Sequence, residues 1–96
     1  LVILETVDGS IPNDTVAQFD IALKTIDNCL RHAGGLPNQI IKVQVFMTDI
    51  KERELINPAR IEYFGDNRPA STLVEVSALV DPRMKVEIEA VAYLNA

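Results

Sequence analysis

With 96 residues the chain is bounded to one domain, which buries only about 60 to 70 per cent of its unfolded surface. Hydrophobic residues make up 48%, with no Trp, two Tyr and three Phe, so the core is built from Val, Ile, Leu and Ala, and further copies would help to bury it. Nine basic against fourteen acidic residues leave a formal charge of −5 with no Lys or Arg run to track a phosphate backbone, which argues against nucleic acid as a partner. Cys29 is the only cysteine, so no intrachain disulfide can form. The apolar windows fall far short of the roughly 20 residues of a membrane-spanning helix, and no opening segment joins a basic start to a long apolar stretch. The expectation is a soluble, cytoplasmic protein with no membrane partner.

Leu1 to Val7 is a β-branched run that reads as a strand, followed by a turn at Asp8-Gly9-Ser10 and Pro12. The chain opens inside this strand without a methionine, and N-terminal residues are expected to be missing. Asn13 to Thr15 offers N-cap candidates, with Thr15 and Gln18 at capping-box spacing. Val16, Phe19, Leu23, Ile26, Leu30 and Ala33 then recur at three- and four-residue steps until Gly34-Gly35, an amphipathic helix of about five turns. From about Ile40 to Thr48, Ile41, Val43, Val45 and Met47 alternate with polar residues and predict a strand with one buried face. Asn57-Pro58 reads as the N-cap and first residue of a shorter helix that carries Ile61 and Phe64 on one side and ends near Gly65.

Ser71 to Leu79 and Met84 to Leu94 are both strand-like, and Val80-Asp81-Pro82-Arg83 between them predicts a turn closing a hairpin. The order β-α-β-α-β-β, without repeats or an internal boundary, predicts a single α+β domain with two helices packed on one face of a sheet. The other face needs a cover, and another subunit is the obvious candidate.

The stretch Arg68 to Ala92, RPASTLVEVSALVDPRMKVEIEAVA, strongly resembles the C-terminal signature of the Rid (reactive intermediate deaminase, YjgF-type) family. Upstream, Ala33-Gly34-Gly35, the run Val43 to Asp49 (VQVFMTD), Ile56-Asn57 and Tyr63-Phe64-Gly65 fall in the same order as in that family. The resemblance implies a chorismate-mutase-like α+β fold, a homotrimer and a small-molecule ligand in each inter-subunit cleft. It also implies hydrolysis of reactive enamines and imines, such as 2-aminoacrylate, to 2-keto acids and ammonia, without a metal or organic cofactor.

In active members an arginine two residues after the signature proline grips the substrate carboxylate. Here Ser71 follows Pro69-Ala70, and a hydroxyl supplies neither the charge nor the forked donors of a guanidinium. Arg68, on the other side of Pro69, could reach the same cleft as a substrate-binding residue; the plainer reading is a solvated side chain at the loop-to-strand junction. Glu87 matches the glutamate that orients the attacking water, Glu89 shares its strand face, and Glu75 is expected across the hairpin. Asn57 matches a family asparagine near the cleft, and its own sequence context favours a helix cap.

Leu73 stands where some members have a cysteine, and Cys29, near the core-facing stripe of the first helix, reads as packing. His32 is the only histidine and forms no metal site; its place near a helix end suits a partial positive charge. The family's tyrosine-bearing N-terminal segment is not recognisable here, so either the chain is incomplete or one wall of the site is lost. Two functions remain in play, a Rid-type hydrolase of altered substrate range and a non-catalytic trimeric module that binds a small metabolite or protein.

Overall fold

The computed structural model describes residues 11–94, so the strand expected at Leu1 to Val7 and the turn at Asp8-Gly9-Ser10 lie outside the described residues. The elements in chain order are α1 (Thr15–His32), β1 (Ile40–Met47), α2 (Asn57–Phe64), β2 (Ala70–Glu75) and β3 (Val86–Ala92), with 3-10 turns at Pro37–Gln39 and Ile50–Ile56. They form an α+β layer in which the helices cover one face of a three-stranded sheet.

Helix α1 begins one residue earlier in capping terms than the Thr15/Gln18 spacing suggests. Asp14 is the N-cap, and its carboxylate accepts from the backbone N–H of Ala17 at 3.3 Å. Thr15 and Gln18 are instead buried among core side chains, so the inward face turns slightly from the expected stripe and leaves Val16 and Ile26 half-buried and Ala33 exposed. At the other end Gly35 N–H donates to Leu30 C=O at 2.8 Å and Gly34 N–H to Arg31 C=O at 3.0 Å, a Schellman closure. It requires φ of +86° at Gly34. A Cβ at Gly35 would meet the side-chain methyls of Leu30 and Leu94 at 2.6 Å, which explains the second glycine.

Strand β1 is central, in the order β2-β1-β3. It pairs in parallel with β2 (Val43 opposite Ser71, Val45 opposite Leu73) and antiparallel with β3 (Val43 opposite Ala90, Val45 opposite Ile88). The expected hairpin between the last two strands therefore does not form, because each takes a different edge of β1. Val76 N–H donates to Met47 C=O and Thr48 N–H to Lys85 C=O, carrying the ladders past both sides of the same strand end. A turn does sit at 81–84, where Met84 N–H donates to Asp81 C=O. Bonds from the Arg83 side chain and N–H hold the Asp81 carboxyl at about 2, well below its ordinary range. An irregularity between Ile40 and Lys42 also moves Ile40, 4% exposed, into the core and turns the expected core residue Ile41 outward.

The core joins Phe19, Ala22, Leu23 and Leu30 of α1 to Val43, Val45 and Met47 of β1 and to Val86 and Ile88 of β3. Burying a side chain such as Phe19 stabilises by about 2 kcal/mol. The Gln18 amide fixes the long β2–β3 connection to this core: Nε2 donates to Pro12 C=O at 2.7 Å and to Arg83 C=O at 2.9 Å, and Oε1 accepts from Lys85 N–H at 2.7 Å. Gln18→Leu keeps the size but strands three backbone groups, and is expected to cost about 3 kcal/mol in urea unfolding with an unchanged m-value. A loss below about 1 kcal/mol would show that the 83–85 backbone finds other partners.

Candidate functional site

Helix α2 packs mainly on the two 3-10 turns, Ile50–Ile56 and Pro37–Gln39, rather than on edge strand β2, which leaves a slot between them. The slot is a cleft of about 290 Å³. From α2 it receives Asn57, Arg60, Ile61 and Phe64, which share one helical face at i, i+3, i+4 and i+7. Val43 of β1, Ser71 of β2, and Arg68 and Pro69 of the intervening loop complete its wall.

Three of the four sequence-predicted site residues, Asn57, Arg68 and Ser71, thus meet in one cleft. Asn57 is not a helix cap: its backbone is helical (φ −59°, ψ −43°), and the preceding Ile56 has no side-chain cap bond. The 3-10 turn at Ile50–Ile56 runs straight into α2, which removes the need for a capping side chain and frees the Asn57 amide for the cleft. Asn57 Oδ1 instead accepts from Arg60 Nη1 at 3.3 Å. Arg60 Nη2 donates to Ser71 Oγ at 3.1 Å, so a guanidinium stands over this serine.

Sequence reasoning passed over Arg60, although its spacing from Asn57, Ile61 and Phe64 places it on their face. Arg68 is exposed at the cleft margin, with no hydrogen bond or ion pair among the described residues.

Glu87 is elsewhere. Val86 and Ile88 point into the core at 0% and 2% exposure, so Glu87 between them faces away from the helices, half-buried and opposite Phe46. Ser71, paired with Val43, faces the helices. One chain therefore separates Glu87 and Ser71 by a strand and by the thickness of the sheet. Glu75 lies beyond the opposite edge of β1 from Glu87 rather than across a hairpin, and its carboxylate accepts from Ile50 N–H at 3.0 Å. Leu73 is half-buried against the core. Cys29 is exposed, which corrects the packing reading, because α1 turns its Ala22 and Leu30 inward instead. Among the described residues no group of three or more His, Cys, Asp or Glu is placed to hold a metal, and no helix is long and apolar enough to cross a membrane.

Residues 4–94 match the family model described as Endoribonuclease L-PSP. The chain belongs to this family, known also as YjgF or Rid. It is 37% identical over 93 residues to a RutC family protein of Buchnera aphidicola, covering 94% of this chain and 72% of that one. It is 36% identical over 81 residues to a protein of Acinetobacter baylyi named 3-aminoacrylate deaminase RutC, covering 84% and 64% respectively. Among solved structures, a Rid-family protein of Yersinia pestis superposes with a TM-score of 0.85 at 36% identity, over 91% of this chain and 70% of that one. A YjgF-family protein of Mycobacterium tuberculosis gives 0.83 at 35% identity, over 86% and 70%. The chain spans roughly two thirds of the length of these relatives.

In this Rid-family chain the cleft wall formed by Phe64 is tied to α1 from behind. Tyr63, whose ring meets Phe64 edge-on at 5.0 Å, donates its hydroxyl to Asp27 Oδ1 at 2.8 Å. Arg31 Nε donates to Asp27 Oδ2 at 2.9 Å. Burial, and then the bond to Asp27, keep the Tyr63 hydroxyl protonated well above the usual phenol range. The Tyr63 bond, helped by Arg31, lowers the Asp27 pKa below its ordinary 3.8.

A carboxyl depressed on folding adds stability above its unfolded pKa and loses it as pH falls through the lower folded value. Tyr63→Phe is therefore expected to cost about 1 kcal/mol near neutral pH. The gap from wild type should narrow as urea titrations move below pH 3.8. A gap that does not change with pH would mean that the hydroxyl bonds to something other than the Asp27 carboxylate.

Proposed function

We propose that this chain is a Rid-type hydrolase that releases ammonia from a small enamine or imine, in clefts completed by neighbouring copies of a homotrimer. The observation that carries the reading is the convergence of Asn57, Arg68 and Ser71 on one cleft, in a family with a member named 3-aminoacrylate deaminase. The carbon of a protonated imine is already electrophilic. Water adds to it, the carbinolamine collapses to a carbonyl, and the nitrogen leaves as ammonia with a proton taken from the water. That sequence needs a base to hold the water and return the proton, which is the role assigned to Glu87, and polar groups to hold the substrate. It needs no metal or organic cofactor.

Because Glu87 faces away from Ser71 within one chain, the reading requires a second chain to bring a Glu87 face to a cleft. Phe46, Val74 and Val91 share the Glu87 face, with Val74 39% and Val91 47% exposed, an apolar surface that an adjoining copy would cover. The same separation favours the second reading, a non-catalytic trimeric module that binds a small metabolite or protein. A ribonuclease reading has weaker support, because the chain carries a net charge of −5 and no basic tract.

The deciding assay follows keto-acid formation from 2-iminopropanoate generated in place, with sedimentation measured at the same protein concentration. Acceleration by a three-chain particle is expected, with a loss of roughly 10²-fold in Glu87→Gln. A trimer that leaves the uncatalysed rate unchanged would transfer the function to the binding module.

A further inference from the structure

Of the three arginines outside the cleft, Arg53 donates to the backbone carbonyl of Ile50 at 3.2 Å and the other two are paired with carboxylates. Arg31 is paired with Asp27 at 2.9 Å and Arg83 with Asp81 at 2.8 Å. The cleft is different: among the described residues it is lined by Arg60 and Arg68 and by no Asp or Glu, and Glu54, which lines the adjoining pocket with Arg60, makes no ion pair with it, in a chain of net charge −5. The two hydrogen-bond partners of Arg60, Ser71 Oγ and Asn57 Oδ1, are neutral acceptors that fix the guanidinium without cancelling its charge. An uncompensated positive pair in a concave, partly apolar site is the electrostatic form of an anion-binding pocket.

We propose that Arg60 is the carboxylate anchor of this cleft. It reaches from α2 to Ser71, the position on β2 at which the family resemblance places a carboxylate-binding arginine. The geometry supplies the anchor, while the choice of a small 2-keto acid and its imine as ligand rests on the hydrolase reading. A guanidinium held by one bond at each terminal nitrogen keeps further N–H donors in the same plane, the arrangement that receives a carboxylate through two parallel bonds.

Val43, Ile61 and Phe64 supply apolar wall beside it, and a cleft of about 290 Å³ suits a short aliphatic tail. Ser71 is then a positioning residue, whose hydroxyl orients the Arg60 fork. Its small size also matters, since an arginine there would bring a second cation to within hydrogen-bonding distance of Arg60. On this assignment Ser71 and Arg60 act as a pair, with the charge on the helix and only a partner for it on the strand.

The test titrates the full-length chain with 2-oxobutanoate, a stable 2-keto acid, by calorimetry. Wild type is expected to bind. Arg60→Ala should weaken binding at least tenfold, and Arg60→Lys should not recover it, because an ammonium cannot make the forked contact. Ser71→Arg in the Arg60→Ala background should restore most of the affinity, a rescue that a merely structural role for Arg60 does not predict. Ser71→Arg alone should weaken binding. Lys51→Ala, which removes a positive charge outside the cleft, should leave affinity unchanged, and inorganic phosphate should bind at least tenfold more weakly than the keto acid.

Wild-type affinity in Arg60→Ala, or phosphate binding as tight as that of 2-oxobutanoate, overturns the assignment. If Arg60→Ala does not fold, Arg60→Lys and the double variant carry the test. Binding of 2-oxobutanoate without turnover of its imine upholds the anchor and removes the hydrolase. Turnover of the carboxylate-free imine of acetone, with no keto-acid binding, does the reverse.

Discussion

Strand β1 has to satisfy two demands at once, and the rest of the molecule is arranged around them. Val43, Val45 and Met47 need cover from α1 on one face, while both edges of the strand present backbone donors and acceptors that must be paired. The nearest sequence partners, β2 and β3, are each used on one edge. The chain between them must then pass the end of β1, and the buried Gln18 amide receives that passing backbone at residues 83–85. With β2 forced to an outer edge and α2 resting on the two 3-10 turns, the space between them stays open. The cleft is thus a consequence of strand order.

Within the cleft, a single guanidinium organises the polar groups. Arg60 links the Asn57 amide to the Ser71 hydroxyl, and so couples a helix to a strand that otherwise touch little. The coupling is reinforced from outside, where Tyr63 and Asp27 tie the far side of α2 to α1. Hydrogen bonds of this kind contribute about 1 kcal/mol each, modest for the fold but large for the placement of a few side chains.

The parts of this arrangement that were legible in the sequence are those governed by short-range periodicity. The 3.6-residue recurrence from Phe19 to Leu30 and the alternation from Val43 to Met47 depend on which face is buried, and both are seen in the fold. The hairpin misread at residues 80–83 is a different kind of event. A turn does form there, but strand pairing is decided by which edge is available, and no local pattern encodes the edges of β1. Alternation alone points Ile41 inward because it carries no trace of the irregularity beside it, and Asn57-Pro58 reads as a cap because the 3-10 turn that abolishes the helix start carries no strong signature. Arg60 was readable in principle. It shares the i, i+3, i+4, i+7 face of residues already singled out, and was passed over because arginine on a short helix ordinarily means solvent.

The division of polar groups between the two sheet faces bears on what one copy can do alone. Ser71, Asn57, Arg60 and Arg68 stand on the helical side, and Glu87 and Glu89 on the other, because side chains alternate along each strand and directly paired residues share a face. No rotamer change crosses the sheet, so a single chain holds the groups that would grip an anion apart from the carboxylate that would activate water. That arrangement also keeps Glu87 from pairing with Arg60 or Arg68 within its own chain. A carboxylate on the same face would neutralise the cleft and exclude an anionic ligand before any chemistry began. Placing Glu87 and the arginines on opposite faces leaves the cleft positive, and any step that used both would depend on contact between copies.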